Sequence, residues 1–243
     1  MEALQQMKHD GCKIVAVVVY DYQMAQIVDR AGVDIVSAGD SVGVNLWGHR
    51  TEQDVTLDQM VLVCQAVRRG VARALVSCDV PFGPLQDGPD AAVRAATRLV
   101  DEAGADLVKL DATVSSLDAV HAVSRAGIPV WAQFGVETAA PAPEPLVRQA
   151  QLLEQAGATL LDFRHSGPVA GPQVVRAVGI PVIGGLGGGP WLDGRVRSSV
   201  AALGYLASAV DDTSERYANV AADALTAIKA LCEDVRAGRP LRS

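Results

Sequence analysis

The chain has 243 residues, 49% of them hydrophobic but only 4% aromatic, and a net charge of -7. That length suits one large domain or two small ones, and the acidic balance excludes the basic face that a nucleic-acid surface needs. Cys12, Cys64, Cys78 and Cys232 are scattered without C-x-x-C spacing, the opening MEALQQMKHDGCK has no apolar signal core, and no apolar run reaches a membrane span. The expectation is a cytoplasmic protein with reduced thiols and neither nucleic-acid nor membrane partners.

In chain order, short β-rich runs predict strands at KIVAVVV (13–19), DIVSAG (34–39), RALVSC (73–78) and DLVKL (106–110). PVWAQF (129–134), TLLDF (159–163), PVIGG (181–185) and GYLA (204–207) complete the set. Amphipathic stretches such as TLDQMVLVCQAVRRG and PDAAVRAATRLVDEAGA lie between them. RAGVDIV, EAGADLV, RAGIPVW and QAGATLL repeat one arrangement: a helix end, a Gly suited to close it, then a strand. Eight βα units in this length predict one (βα)8 TIM barrel domain, with a C-terminal helical extension from about residue 211. An open doubly wound sheet is the rival, but no dinucleotide fingerprint accompanies it. APAPEP (140–145) reads as a stiff loop within the domain.

Barrel chemistry sits where strands end. The polar residues there are Tyr20 and Asp21, Asp40 and Ser41, Asp79, Lys109 and Asp111, Gln133 and Glu137, then Asp162, Arg164 and His165. One Asp after a strand is more often a helix cap than a ligand. Asp40, Asp79 and Asp111 on neighbouring strand ends are a concentration of negative charge that a hard divalent cation would hold together. Lys109 equally suits an ion pair with one of these acids. GGLGGGP (184–190) lacks the Lys and Ser/Thr of a phosphate loop and reads as a tight turn. In LLDFR, alternation sends Asp162 and Arg164 the same way, so a buried acid–arginine pair is one reading of them, and a functional pair is the other.

Several segments resemble the ketopantoate hydroxymethyltransferase family of the phosphoenolpyruvate mutase/isocitrate lyase barrel superfamily: GDSVG…GH, VTLDQM, AVRRG, DVPF and VKLD, in order, within a likeness running from about Lys13 to Leu206. The resemblance implies Mg2+ and a hydroxymethyl group taken from the co-substrate 5,10-methylenetetrahydrofolate and added to C3 of a 2-oxo acid. It also implies a homo-oligomer. By the same resemblance Asp40 and Asp79 are metal carboxylates, Ser41 and Lys109 hold the oxo-acid carboxylate, and Asp111 falls where the family has a metal-proximal glutamate.

The acid–base half departs from the family. Arg164 falls where the family places the glutamate proposed as general base, Gln133 where it has a histidine, and VETAAPAPEPL shortens the loop after strand five. Arginine cannot be deprotonated at working pH. Three readings stay open. Hydroxymethyl transfer continues with a relocated base, Glu137 or Asp162, His165 being disfavoured because its side chain should face away. Alternatively, Arg164 and Gln133 bind substrate, with Arg164 on a second carboxylate of a 2-oxo or dicarboxylic acid that undergoes carbon–carbon cleavage or decarboxylation. The third reading is an inactive binding homologue, against which the joint presence of the three aspartates and Lys109 counts.

Overall fold

The computed structural model describes residues 1–112, 117–135, 142–185 and 188–240. Eight parallel strands close into a barrel in sequence order: β1 (Ile14–Val19), β2 (Ile35–Ala38), β3 (Leu75–Asp79), β4 (Leu107–Asp111), β5 (Val130–Gly135), β6 (Leu160–Arg164), β7 (Val182–Gly184) and β8 (Gly194–Ser198). This is the expected (βα)8 TIM barrel. Helices cross between strands at Tyr22–Ala31, Leu57–Gly70, Pro89–Asp101, Leu117–Arg125, Pro143–Gln155 and Gly167–Ala177. Local chemistry sets their limits. Thr56 caps the second of these through a reciprocal box with Gln59, satisfying amides the first turn leaves open.

The eighth strand lies elsewhere than the sequence suggests. GYLA (204–207) is not a strand; a short 3-10 turn runs from Ala207 to Ala209, and GRVRS forms the strand. Its alternation is disguised, because Arg195 and Arg197 point outward around a single inward Val196. Arg195 spends its guanidinium on the carbonyls of Gly184 and Gly185, at 3.0 Å each. GGLGGGP therefore presents carbonyls to a cation, as a turn does, and its Leu186 and Gly187 lie outside the described residues. A Cβ at Gly194 would run into the carbonyl of Ile14, so glycine is what lets β8 approach β1.

Inside the barrel, Ile14, Ala16, Ile35, Leu107, Trp131, Leu160, Ile183 and Val196 form one buried cluster, with Leu4 of the N-terminal helix Glu2–His9 packed into it. Because side chains alternate, the next inward positions toward the strand ends are Ser37, Ser77 and Asp79, Lys109 and Asp111, Gln133, then Asp162 and Arg164. The apolar floor thus gives way to a polar mouth.

Two compact units divide the chain at Val196 and Arg197. The second, residues 197–243, contains the helices Ser199–Leu203 and Val220–Arg236. No helix among the described residues is long and apolar enough to cross a membrane. All four cysteines are free thiols, with Cys64 and Cys78 buried.

Candidate active site at the carboxyl ends of the strands

β2 and β3 bring the first two acids together. The backbone N–H of Asp40 donates to Asp79 Oδ2 at 3.3 Å. Gly39 permits this approach, since a Cβ there would lie 2.6 Å from Val18 and 3.2 Å from Ser41 Oγ. Desolvation, and then the charge of Asp79, push the Asp40 carboxyl up to about 8. Desolvation likewise raises Asp79, against the pull of Lys109. Asp79 Oδ1 is buried without a hydrogen-bond partner among the described residues. Two crowded, desolvated carboxylates with an unspent oxygen suit a hard divalent cation, which takes one or two carboxylates and fills its remaining positions with substrate oxygens and water.

The third expected ligand is placed differently. Asp111 Oδ2 accepts from Gln133 Nε2 at 3.1 Å and lies 3.9 Å from the Arg164 guanidinium. Among the described residues no three His, Cys, Asp or Glu side chains gather as a metal cage. Asp40 and Asp79 make a pair, with Asp111 turned toward the β5–β6 rim.

Lys109 is the central cation. Its Nζ lies 2.9 Å from Asp162 Oδ2, with the two side chains only 12% and 4% exposed, and 5.0 Å from the centroid of the Trp131 ring. Burial pulls its pKa down, but Asp162 and Asp79 outweigh burial and hold it above the usual lysine value. It therefore stays an ammonium, fit to hold an anion and unfit to take a proton. Asp162 Oδ1 is buried without a partner among the described residues.

Asp162 and Arg164 share a face, as alternation predicts, but they do not pair with each other. Each side chain instead reaches across the barrel interior past β5: Asp162 to Lys109 and Arg164 to Asp111, both on β4. Gly135, at φ +128° opposite Arg164, has no room for a Cβ against the Arg164 carbonyl. His165 takes φ +53° and ends the strand. Glu137 lies outside the described residues.

The sequence places Tyr20 at a strand end without giving it a role, and leaves Trp131 out of the site. Tyr20 Oη lies 3.0 Å from Ser41 Oγ and accepts from Asn45 Nδ2 at 2.7 Å, which fixes the Ser41 hydroxyl. Tyr20 directly follows β1, so its place was a usable signal. Trp131 shares the inward alternation of Gln133, and this was the sign that its ring lines the same interior.

A closed parallel barrel with paired carboxylates, a held ammonium and a fixed hydroxyl at its carboxyl mouth is the architecture of a TIM-barrel enzyme. A family model described as ketopantoate hydroxymethyltransferase matches residues 1–240. The 3-methyl-2-oxobutanoate hydroxymethyltransferase of Cyanothece sp. (strain PCC 7425) is 35% identical over 96% of this chain and 94% of its own length. The protein of the same name from Streptomyces avermitilis is 34% identical over 95% and 85%. Among solved structures, 2,3-dimethylmalate lyase, a PEP mutase/isocitrate lyase superfamily member, superposes with a TM-score of 0.70 at 16% identity over 100% of this chain and 88% of that one. Phosphonopyruvate hydrolase, in complex with oxalate and Mg2+, superposes with 0.65 at 14% identity over 98% and 87%. These two share the fold. The chain belongs to the ketopantoate hydroxymethyltransferase family and is a transferase.

Proposed function

We propose that this protein adds a hydroxymethyl unit to the enolate of a 2-oxo acid, with Mg2+ at Asp40 and Asp79 and 5,10-methylenetetrahydrofolate as one-carbon donor. Overall, donor, oxo acid and one water give tetrahydrofolate and the hydroxymethylated oxo acid. The observation that carries the reading is the Asp40–Asp79 pair: a like-charge cluster with an unspent buried oxygen, beside an ammonium that cannot neutralise both. When bound there, Mg2+ would polarise the keto group and favour the enolate.

The chain's own residues supply the rest. The Lys109 ammonium, set by Asp162 and Trp131, and the Ser41 hydroxyl, set by Tyr20, hold the oxo-acid carboxylate. Removal of the C3 proton needs a base. An arginine such as Arg164 does not give up a proton at working pH, Lys109 is held protonated by its acids, and Asp111 is engaged by Gln133. Asp162 has the unspent Oδ1, so the proton is assigned to it, with Glu137 as the competing candidate.

The test is proton NMR of 2-oxo acids, 2-oxoisovalerate first, in D2O with enzyme and Mg2+. The expected result is loss of the C3–H signal in wild type, no loss in Asp162→Asn, and a new hydroxymethyl signal once the folate is added. Exchange that survives Asp162→Asn but stops in Glu137→Gln moves the base. No exchange from a protein that binds Mg2+ and oxo acid sinks the transfer reading. It would favour carbon–carbon cleavage or decarboxylation, which leaves an enolate without removing a C–H proton. Arg164, a residue that cannot act as base at the end of β6, is what favours that second reading.

A further inference from the structure

We propose that Arg164 sets the specificity of this site, and that the oxo acid it selects carries a second carboxylate at its far end. This rests on the reading of Ser41 and Lys109 as the contacts of the 2-oxo acid head.

Arg164 ends β6 on the inward face, one layer beyond Asp162. Its side chain is 29% exposed, and its one ion pair among the described residues is the 3.9 Å approach to Asp111. No hydrogen bond to its guanidinium is made within the described residues, so its donors stand nearly unspent. The same Asp111 oxygen also accepts from Gln133 at 3.1 Å, so Asp111 is not given over to the arginine. A planar fork with open donors in a half-desolvated mouth is matched by a carboxylate taken bidentately.

Spacing and polarity agree. Asp162, directly below Arg164, fixes Lys109 at 2.9 Å, so the two cations belong to successive layers. One layer is about 6.6 Å along a strand, the reach of a four- or five-carbon diacid. The far wall is formed by Asp111, Gln133 and Arg164, and an apolar branched tail against it would cover the open Arg164 donors while accepting nothing from them. A second carboxylate gives Arg164 and Gln133 something to donate to.

The test is calorimetric titration, with Mg2+ present, of two acids with the same five-carbon chain: 2-oxoglutarate, which ends in a carboxylate, and 2-oxovalerate, which ends in a methyl. Wild type should bind 2-oxoglutarate about tenfold or more tightly than 2-oxovalerate, the ratio expected of one charged hydrogen-bonded contact. In Arg164→Gln the ratio should fall to near one through weaker 2-oxoglutarate binding. In Arg164→Lys, which keeps the charge and loses the fork, part of the preference should remain. Equal affinities in wild type overturn the proposal and leave the head site standing. So does a parallel loss of both acids in the two variants, which would mark Arg164 as structural. Failure of both acids to bind wild type with Mg2+ removes the head site, and the proposal with it.

Discussion

Asp40 and Asp79 illustrate at the scale of single residues how a site can oppose the stability of its own fold. Two desolvated carboxyls within backbone hydrogen-bonding reach disfavour each other's charge, and Lys109 and the Asp40 N–H donated to Asp79 offset this only in part. Asp40, pushed up to about 8, must take up a proton on folding at neutral pH, and Asp40→Asn removes that cost while keeping the shape. The metal-free Asp40→Asn protein should therefore melt above wild type, each 1 kcal/mol being worth about 2–4 °C for a chain of this size. Added Mg2+ should stabilise wild type and leave the variant unmoved. A variant that melts below wild type would mean that the pair is not a source of strain. These two acids were legible in the sequence because each directly follows an apolar run. The pairings around them were not. LLDFR suggested an Asp162–Arg164 pair, but both side chains point into a closed barrel and reach past β5 to β4, so register decided the partners: Lys109 for Asp162 and Asp111 for Arg164. Register between strands is a property that a linear pattern of apolar residues does not carry.

At the scale of elements, seven of the eight strands announce themselves as runs of Val, Ile, Leu and Ala, and the eighth does not. Gly194–Ser198 buries one aliphatic side chain between two arginines, and its need for glycine comes from the Ile14 carbonyl across the closure. Between elements, Asp29 performs a joint that sequence alone would have assigned to a surface. From the helix Tyr22–Ala31 it accepts the backbone N–H groups of Ala72, Arg73 and Ala74 at 3.1, 3.2 and 2.9 Å, just before β3. Burial pushes its carboxyl up, but these three donors and the Arg73 charge together bring it below the ordinary 3.8. A folded-state value below the unfolded one means that the charge contributes stability above the unfolded value, which is lost as pH falls through the folded one. Asp29→Asn sets a side-chain N–H against one of the backbone donors and should cost about 1–3 kcal/mol at neutral pH. The gap between wild type and variant should hold constant down to about pH 5 and close as acid protonates Asp29 near and below its ordinary 3.8. Denaturant titration across pH checks this; a gap that widens in acid would mean that Asp29 is not charged in the fold.

For the barrel as a whole, the apolar floor and the polar mouth divide the labour between them. Leu4, 2% exposed, plugs the interior against Ile14, Leu107 and Leu160, and its helix is tied down where Lys8 meets Asp193 at 2.8 Å. Asp193 in turn accepts from the amide of Val182 at 2.8 Å, so one acid fixes both the plug and the start of β7. The ligand-facing groups all lie at the opposite, carboxyl ends of the strands. Rigid interiors transmit strain, but Trp131 and the Lys109–Asp162 pair stand between the plug and the mouth as a layer already locked by its own contacts. Leu4→Ala should then lower stability by about 2–5 kcal/mol through the cavity it leaves. On this chain length that is a fall in melting temperature on the order of 10 °C. Affinity for a 2-oxo acid with Mg2+, measured well below that melting point, should change by less than about twofold, the half kcal/mol typical of separated sites, because the locked Trp131 layer passes little strain on. A large loss of affinity alongside the loss of stability would show that the floor holds the mouth in shape. In that case Trp131, which touches both, is the residue through which the strain passes, and Trp131→Phe should reproduce the affinity loss without the plug being disturbed.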